Sequence, residues 1–174
     1  MKRLVVLFSM GLIVACASHR YSVNEPPEKK FGTFTTVEVL SFSTNVQGEA
    51  AEQLVDQLPL ALIAQLQDTK LKGSERKMFS EVTRSTSEIE NVLTITGTIL
   101  SFEEGSRAKR YLIGLGAGKA YATVQCVFSD KSTGESIAVA TFDGELSGGF
   151  FGGSSEGASE GVIKAIEDFL KENY

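Results

Sequence analysis

Histidine is almost absent from this chain, and cysteine is scarce. The only histidine is His19, and the only cysteines are Cys16 and Cys126, among 174 residues. A Ser–His or Cys–His nucleophile pair needs a histidine inside a packed site. His19 instead lies near the N terminus, in a segment without apolar periodicity. No HExxH motif and no paired-cysteine pattern offers a metal site. Carboxylate neighbours such as Glu103 with Glu104, and Glu167 with Asp168, are adjacent along the chain and read as surface charge. The expectation is a protein that is not an enzyme and carries neither cofactor nor metal.

Basic charge is also in deficit. Without Lys2 and Arg3 of the leader described below, the 17 basic residues fall to 15 against 22 acidic ones, a net charge of about −7. Such a balance, with no basic stripe, argues against nucleic acid and against a general electrostatic grip on anionic lipid. A bilayer-spanning segment is missing as well: the N-terminal apolar run covers residues 4–14 with Ser9 its one polar member, whereas a spanning helix needs about 20 residues.

That run carries other information. Lys2 and Arg3 precede it, and Ile13, Val14, Ala15 and Cys16 follow the bacterial lipobox pattern. Residues 1–15 therefore read as a lipoprotein signal peptide, with Cys16 the lipidated first residue of the mature chain. Each buried methylene of an acyl chain contributes about 0.8 kcal/mol, so several chains on one residue hold a protein on a membrane. With Cys16 consumed, Cys126 has no partner for an internal disulfide, and its β-rich surroundings favour burial. Ala17 and Ser18 after the cysteine, in place of aspartate, point in a Gram-negative host to an outer-membrane lipoprotein with its domain facing the periplasm.

Residues 17–31 lack periodicity and contain Pro26 and Pro27. With Cys16 they read as a tether (16–31) of about 50 Å maximum reach, ahead of one domain over 32–174. Residues 33–42 predict a strand. Residues 49–68 predict a helix with Leu54, Val55, Leu58, Leu62 and Leu66 on its buried stripe and Pro59 inside it. Further strands are expected at 78–84, 92–102, 117–129 and 136–146. Within 92–102, the period of two groups Leu93, Ile95, Gly97, Ile99 and Ser101 on one face and sends Phe102 to the other. A last helix over about 155–171 has Ala158, Val162, Ala165, Ile166, Phe169 and Leu170 on its apolar face. The order β-α-β-β-β-β-α implies an α+β domain, mostly antiparallel, with both amphipathic helices on one face of the sheet.

Two glycine-rich stretches stand out. GLGAGKA (114–120) approximates a phosphate-binding loop but has the wrong glycine spacing and Ala120 where a Ser or Thr would hold magnesium. Gly114, Gly116 and Gly118 fall on one side of an extended chain, which suits either a closely packed strand entry or contact with a partner. Phe150 and Phe151 lie between two glycine pairs, where the rings either close the core or anchor a partner. Arg107, Lys109 and Arg110 follow Glu103 and Glu104 and read as a charge-balanced loop or as a contact for an acidic surface.

The segment RYLIGLGAGKA (110–120), the Asp130…Thr133-Gly134 turn and LPLAL (58–62) resemble the DUF4410 family of bacterial envelope proteins. The resemblance covers most of residues 33–172 and implies no biochemical activity. More loosely, strand 33–42 followed by helix 49–68 is similar to periplasmic domains of curli-secretion and penicillin-binding-protein-activator lipoproteins. The expected role is a binding or assembly module for another envelope protein. A small-ligand or lipid carrier, and a self-assembling oligomer, are the alternatives.

Overall fold

Leu54, Leu58, Leu62 and Leu66 recur at helical spacing, and in the computed structural model all four are fully buried. They form one stripe of helix α1 (Glu49–Asp68), which runs through the buried Pro59. The structure describes residues 21–103, 120–146 and 161–174. Its sheet contains β1 (Tyr21–Glu25), β2 (Thr36–Val39), β3 (Ser43–Thr44), β4 (Glu81–Thr83), β5 (Val92–Glu103), β6 (Ala120–Asp130) and β7 (Ser136–Leu146). Helix α2 (Val162–Glu172) closes the chain. The architecture is α+β, with one mixed sheet ordered β1-β7-β6-β5-β2-β4 and β3 paired to β5.

The long ladders, β5–β6, β6–β7 and β1–β7, are antiparallel. The short ones are parallel: β2 with both β4 and β5, and β3 with β5. The reason is connectivity. Helix α1 carries the chain back from β2 to β4, and such a crossover makes the joined strands parallel. Alternation then sorts the faces. Val37, Val39, Leu93, Ile95, Val124, Cys126 and Phe128 are buried beneath the helices. Thr94, Thr96, Thr98, Thr123 and Gln125 are only partly buried on the other face.

Three expectations need correction. Residues 21–31 are part of the folded domain, not tether. β1 pairs with β7 from Tyr21 opposite Phe142 to Glu25 opposite Val139. The Tyr21 ring packs 5.4 Å from Phe169 and 5.8 Å from Phe142, and its hydroxyl donates to Glu172. Burial, then that bond, push the phenol up to about 12. Phe31, in a short 3-10 turn, is fully buried, 5.4 Å from Phe128 and 5.7 Å from Phe169. Second, Phe102 does not face away from Ile99. A bulge between Ile99 and Ser101 makes Leu100 an extra residue, so Phe102 pairs with the buried Ala122 and packs on the core. The strand expected over 33–42 also divides: the chain leaves β2 so that the Phe42 ring lies on Gly97, where an added Cβ would stand 2.5 Å from it.

Residues 85–91 cross the face opposite the helices. Glu38 is buried there, accepts from the Thr86 amide at 3.0 Å and pairs with Lys131 at 3.0 Å. Lys131 donates in turn to the Thr86 carbonyl at 2.7 Å. Between the helices, the buried Glu167 accepts from Gln65 at 3.1 Å, Thr69 at 2.9 Å and Lys171 at 2.6 Å.

The Asp130…Gly134 motif makes the β6–β7 turn. Asp130 accepts from the Ser132 hydroxyl at 2.6 Å, the Ser132 amide at 3.0 Å and Lys29 at 3.1 Å. Gly134 takes a positive φ of 73°. The Ser132 bond first, and Lys29 after it, hold the Asp130 carboxyl below its ordinary value against the opposing effect of burial. A depressed native value adds stability above the unfolded-state value, and that stability is lost as pH falls through the native one. The D130N variant should therefore be less stable than the parent at neutral pH, by about 1–2 kcal/mol. Urea titrations should show the gap at full size above the unfolded-state carboxyl value, narrowing progressively as pH falls from there, and gone once the lowered native value is passed.

Candidate functional site

Three strands and both helices meet at one end of the sheet. β5 and β7 end there and β6 begins, with Glu103 opposite Tyr121 and Ala120 opposite Leu146. Helix α2 starts there because Gly144 of β7 has no side chain: a Cβ on it would stand 2.3 Å from the Val162 amide nitrogen. Helix α1 starts at the same end, beside Phe102.

Between the α1 N terminus and β5 opens a cleft of about 510 Å³, lined by Val46, Gln47, Gly48, Glu49, Gln53 and Phe102 among others. Gly48 precedes the helix with φ 125° and ψ 146°, a conformation confined essentially to glycine. Its carbonyl accepts from the Ala51 and Glu52 amides, both at 3.1 Å. Glu49 and Glu52 occupy the first helical turn, where they complement the helix dipole and oppose any incoming anion. The lining therefore suits a neutral or cationic group better than an anion: its walls include the Phe102 ring and the Glu49 carboxylate, which accepts from the Gln53 amide at 3.4 Å. On the neighbouring hairpin Leu100 and Tyr121 are 43% and 40% exposed, large apolar groups at the same end.

The residues singled out from sequence, Cys16, Gly114, Gly116, Gly118, Phe150 and Phe151, lie outside the described residues. What the structure does place is the flanks of their segments. Residues 104–119 join Glu103 to Ala120, and residues 147–160 lead from Leu146 toward α2, so all of these attachment points share this one end. Reasoning from sequence missed the cleft. The bulge that turns Phe102 inward depends on the β6 register and leaves no local signal, whereas a glycine at position 48, just ahead of the helix, is visible in the sequence.

Cys126 is fully buried, and burial pushes its thiol up, so it is no nucleophile at neutral pH. Among the described residues no cluster of His, Cys, Asp or Glu is arranged to hold a metal ion. Among them, too, no helix is long and apolar enough to cross a membrane.

The family described as "Domain of unknown function (DUF4410)" matches residues 29–149. The chain belongs to the DUF4410 family. This DUF4410 protein has no match among curated proteins. Its fold is similar to that of PelC from Paraburkholderia phytofirmans, solved as a dodecamer: identity is 14%, coverage 87% of this chain and 95% of that one, TM-score 0.51. A single-residue PelC variant, also a dodecamer, gives 12% identity, 87% and 92% coverage and a TM-score of 0.50. A DUF330 protein from Xanthomonas campestris is 14% identical over 80% of this chain and 78% of its own, with a TM-score of 0.43. At these identities the PelC likeness establishes the shared fold and nothing further.

Proposed function

We propose that this protein is a lipid-anchored, non-enzymatic component of a bacterial envelope. Cys16 holds it at the outer membrane, and its α+β domain on the periplasmic side binds another envelope component. The carrying observation is the convergence at one end of the sheet: the cleft, the exposed Leu100 and Tyr121, and the attachment points of both glycine-rich segments. The non-enzymatic reading is supported by the absence of any histidine beyond position 19 and by the burial of Cys126. Self-assembly is the second reading, favoured by a fold shared with a protein solved as a dodecamer.

A photo-crosslinking amino acid at Tyr121, in cells, should capture one dominant envelope protein identifiable by mass spectrometry. The same group at Leu60, exposed on α1, should not. Capture of the protein by itself, with a matching size in mild detergent, selects the second reading. Equal capture from both positions, or none, overturns a binding role for this end; a stoichiometric lipid in an organic extract would then favour a carrier.

A further inference from the structure

The register of β1 says which end of the domain can face a membrane. β1 runs antiparallel to β7, with Tyr21 opposite Phe142 and Glu25 opposite Val139. The chain therefore enters β1 from the side on which β7 ends at Leu146, the end that carries the cleft. Only residues 17–20 separate Cys16 from Tyr21. Five residue steps reach at most about 17 Å even when fully extended.

That reach decides between orientations. From the level of Phe142, β7 extends four residues to Leu146 in one direction and six residues back to Ser136 in the other. At about 3.4 Å per residue these are roughly 14 Å and 20 Å. A chain of at most about 17 Å can clear the Leu146 end. It cannot run back past Ser136 and the β6–β7 turn beyond it to reach a bilayer lying on that side.

We infer that the end of the sheet formed by the β5, β6 and β7 termini faces the phospholipid headgroups, within a few residues' reach of them. This rests on the lipid-anchor reading of Cys16. The orientation is set by covalent length and not by charge, because Glu49, Glu52, Glu103 and Asp143 are exposed at this end and anionic headgroups repel them. A partner captured there consequently lies at or in the membrane.

Single reporter cysteines test the orientation in the full lipidated protein, since Cys126 is buried and Cys16 is acylated. E103C sits at the proposed facing end and E135C in the opposite turn; both native side chains are exposed. The two lie about eight residues of β6 apart, roughly 27 Å. With a donor dye on each, in vesicles of phosphatidylethanolamine and phosphatidylglycerol bearing headgroup acceptor, transfer should be several-fold greater from position 103 than from 135. A flexible Gly/Ser insert between Ser18 and His19 should abolish the difference. Lipidated, vesicle-bound protein with equal transfer from both positions, or with the reverse order, overturns the orientation while leaving the anchor standing. Intact mass showing no acyl chains, with no vesicle binding, instead removes the anchor reading and this inference with it.

Discussion

A chain shortened to begin at residue 32 should fail to hold the fold, although composition alone would start the domain there. The truncation removes Phe31, which is fully buried and packs on Phe128 and Phe169 at 5.4 and 5.7 Å. Emptying one such aromatic site costs about 3–5 kcal/mol, against a total stability of about 5–15 kcal/mol for a domain of this kind. The same deletion removes β1 and with it the Tyr21 ring over Phe142 and Phe169. It also breaks the bond from the Phe31 amide to the Asn173 carbonyl at 3.0 Å, which ties the start of the domain to its end. β7 becomes an uncovered edge, the kind of exposed ladder that promotes aggregation. In urea, a chain starting at Ala17 should unfold cooperatively, and one starting at residue 32 should show a much lower midpoint or no transition. Equal midpoints would mean that β1 and Phe31 are ornaments on a domain complete without them.

The second large effect is expected at Gly144. A Cβ there would stand 2.3 Å from the Val162 nitrogen and 2.4 Å from the Gly161 carbonyl carbon, both backbone atoms at the start of α2. Backbone cannot rotate aside, so G144V should displace the N terminus of α2. Overpacking of this kind costs about 1–3 kcal/mol and sometimes more. Here the displaced element buries Val162, Ile163, Ile166, Phe169 and Leu170, which places the loss at or above the top of that range. Gly97 is the informative comparison. Its Cβ would meet the Phe42 ring at 2.5 Å, a side chain able to turn outward at the cost of its own burial. G134A meets nothing in space but must hold φ 73°, a strain of about 1–2 kcal/mol. Denaturation midpoints should therefore fall furthest for G144V. A G144V protein as stable as G134A would show that α2 does not rest on β7 at this point.

Where local pattern was strong, the sequence was legible. The spacing of Leu54, Leu58, Leu62 and Leu66 marks α1 over the span observed, Glu49–Asp68. The two β-rich runs around Asp130 and Gly134 mark the β6–β7 hairpin, with Ser136–Leu146 observed as expected. Three things were illegible, each because its cause lies far away in sequence. Tyr21–Glu25 shows almost no apolar alternation, and four of its five residues are exposed; it is a strand because β7 offers a free edge. Phe102 faces the core because a bulge at Leu100 shifts the β5–β6 register. β2 is parallel to its neighbours because α1 carries the chain across the sheet before β4 forms.

The candidate site divides in the same way. The chain itself determined that the acidic domain contains no histidine beyond position 19 and that its cysteine-bearing N terminus follows a lipoprotein pattern, since both are matters of composition and local motif. Only the tertiary structure decided that the cleft beside Gly48, the exposed Leu100 and Tyr121, the flanks of both glycine-rich segments and the entry of β1 share one end of the sheet. Strand register set that end, and register is a property of pairs of strands, which no single stretch of sequence specifies.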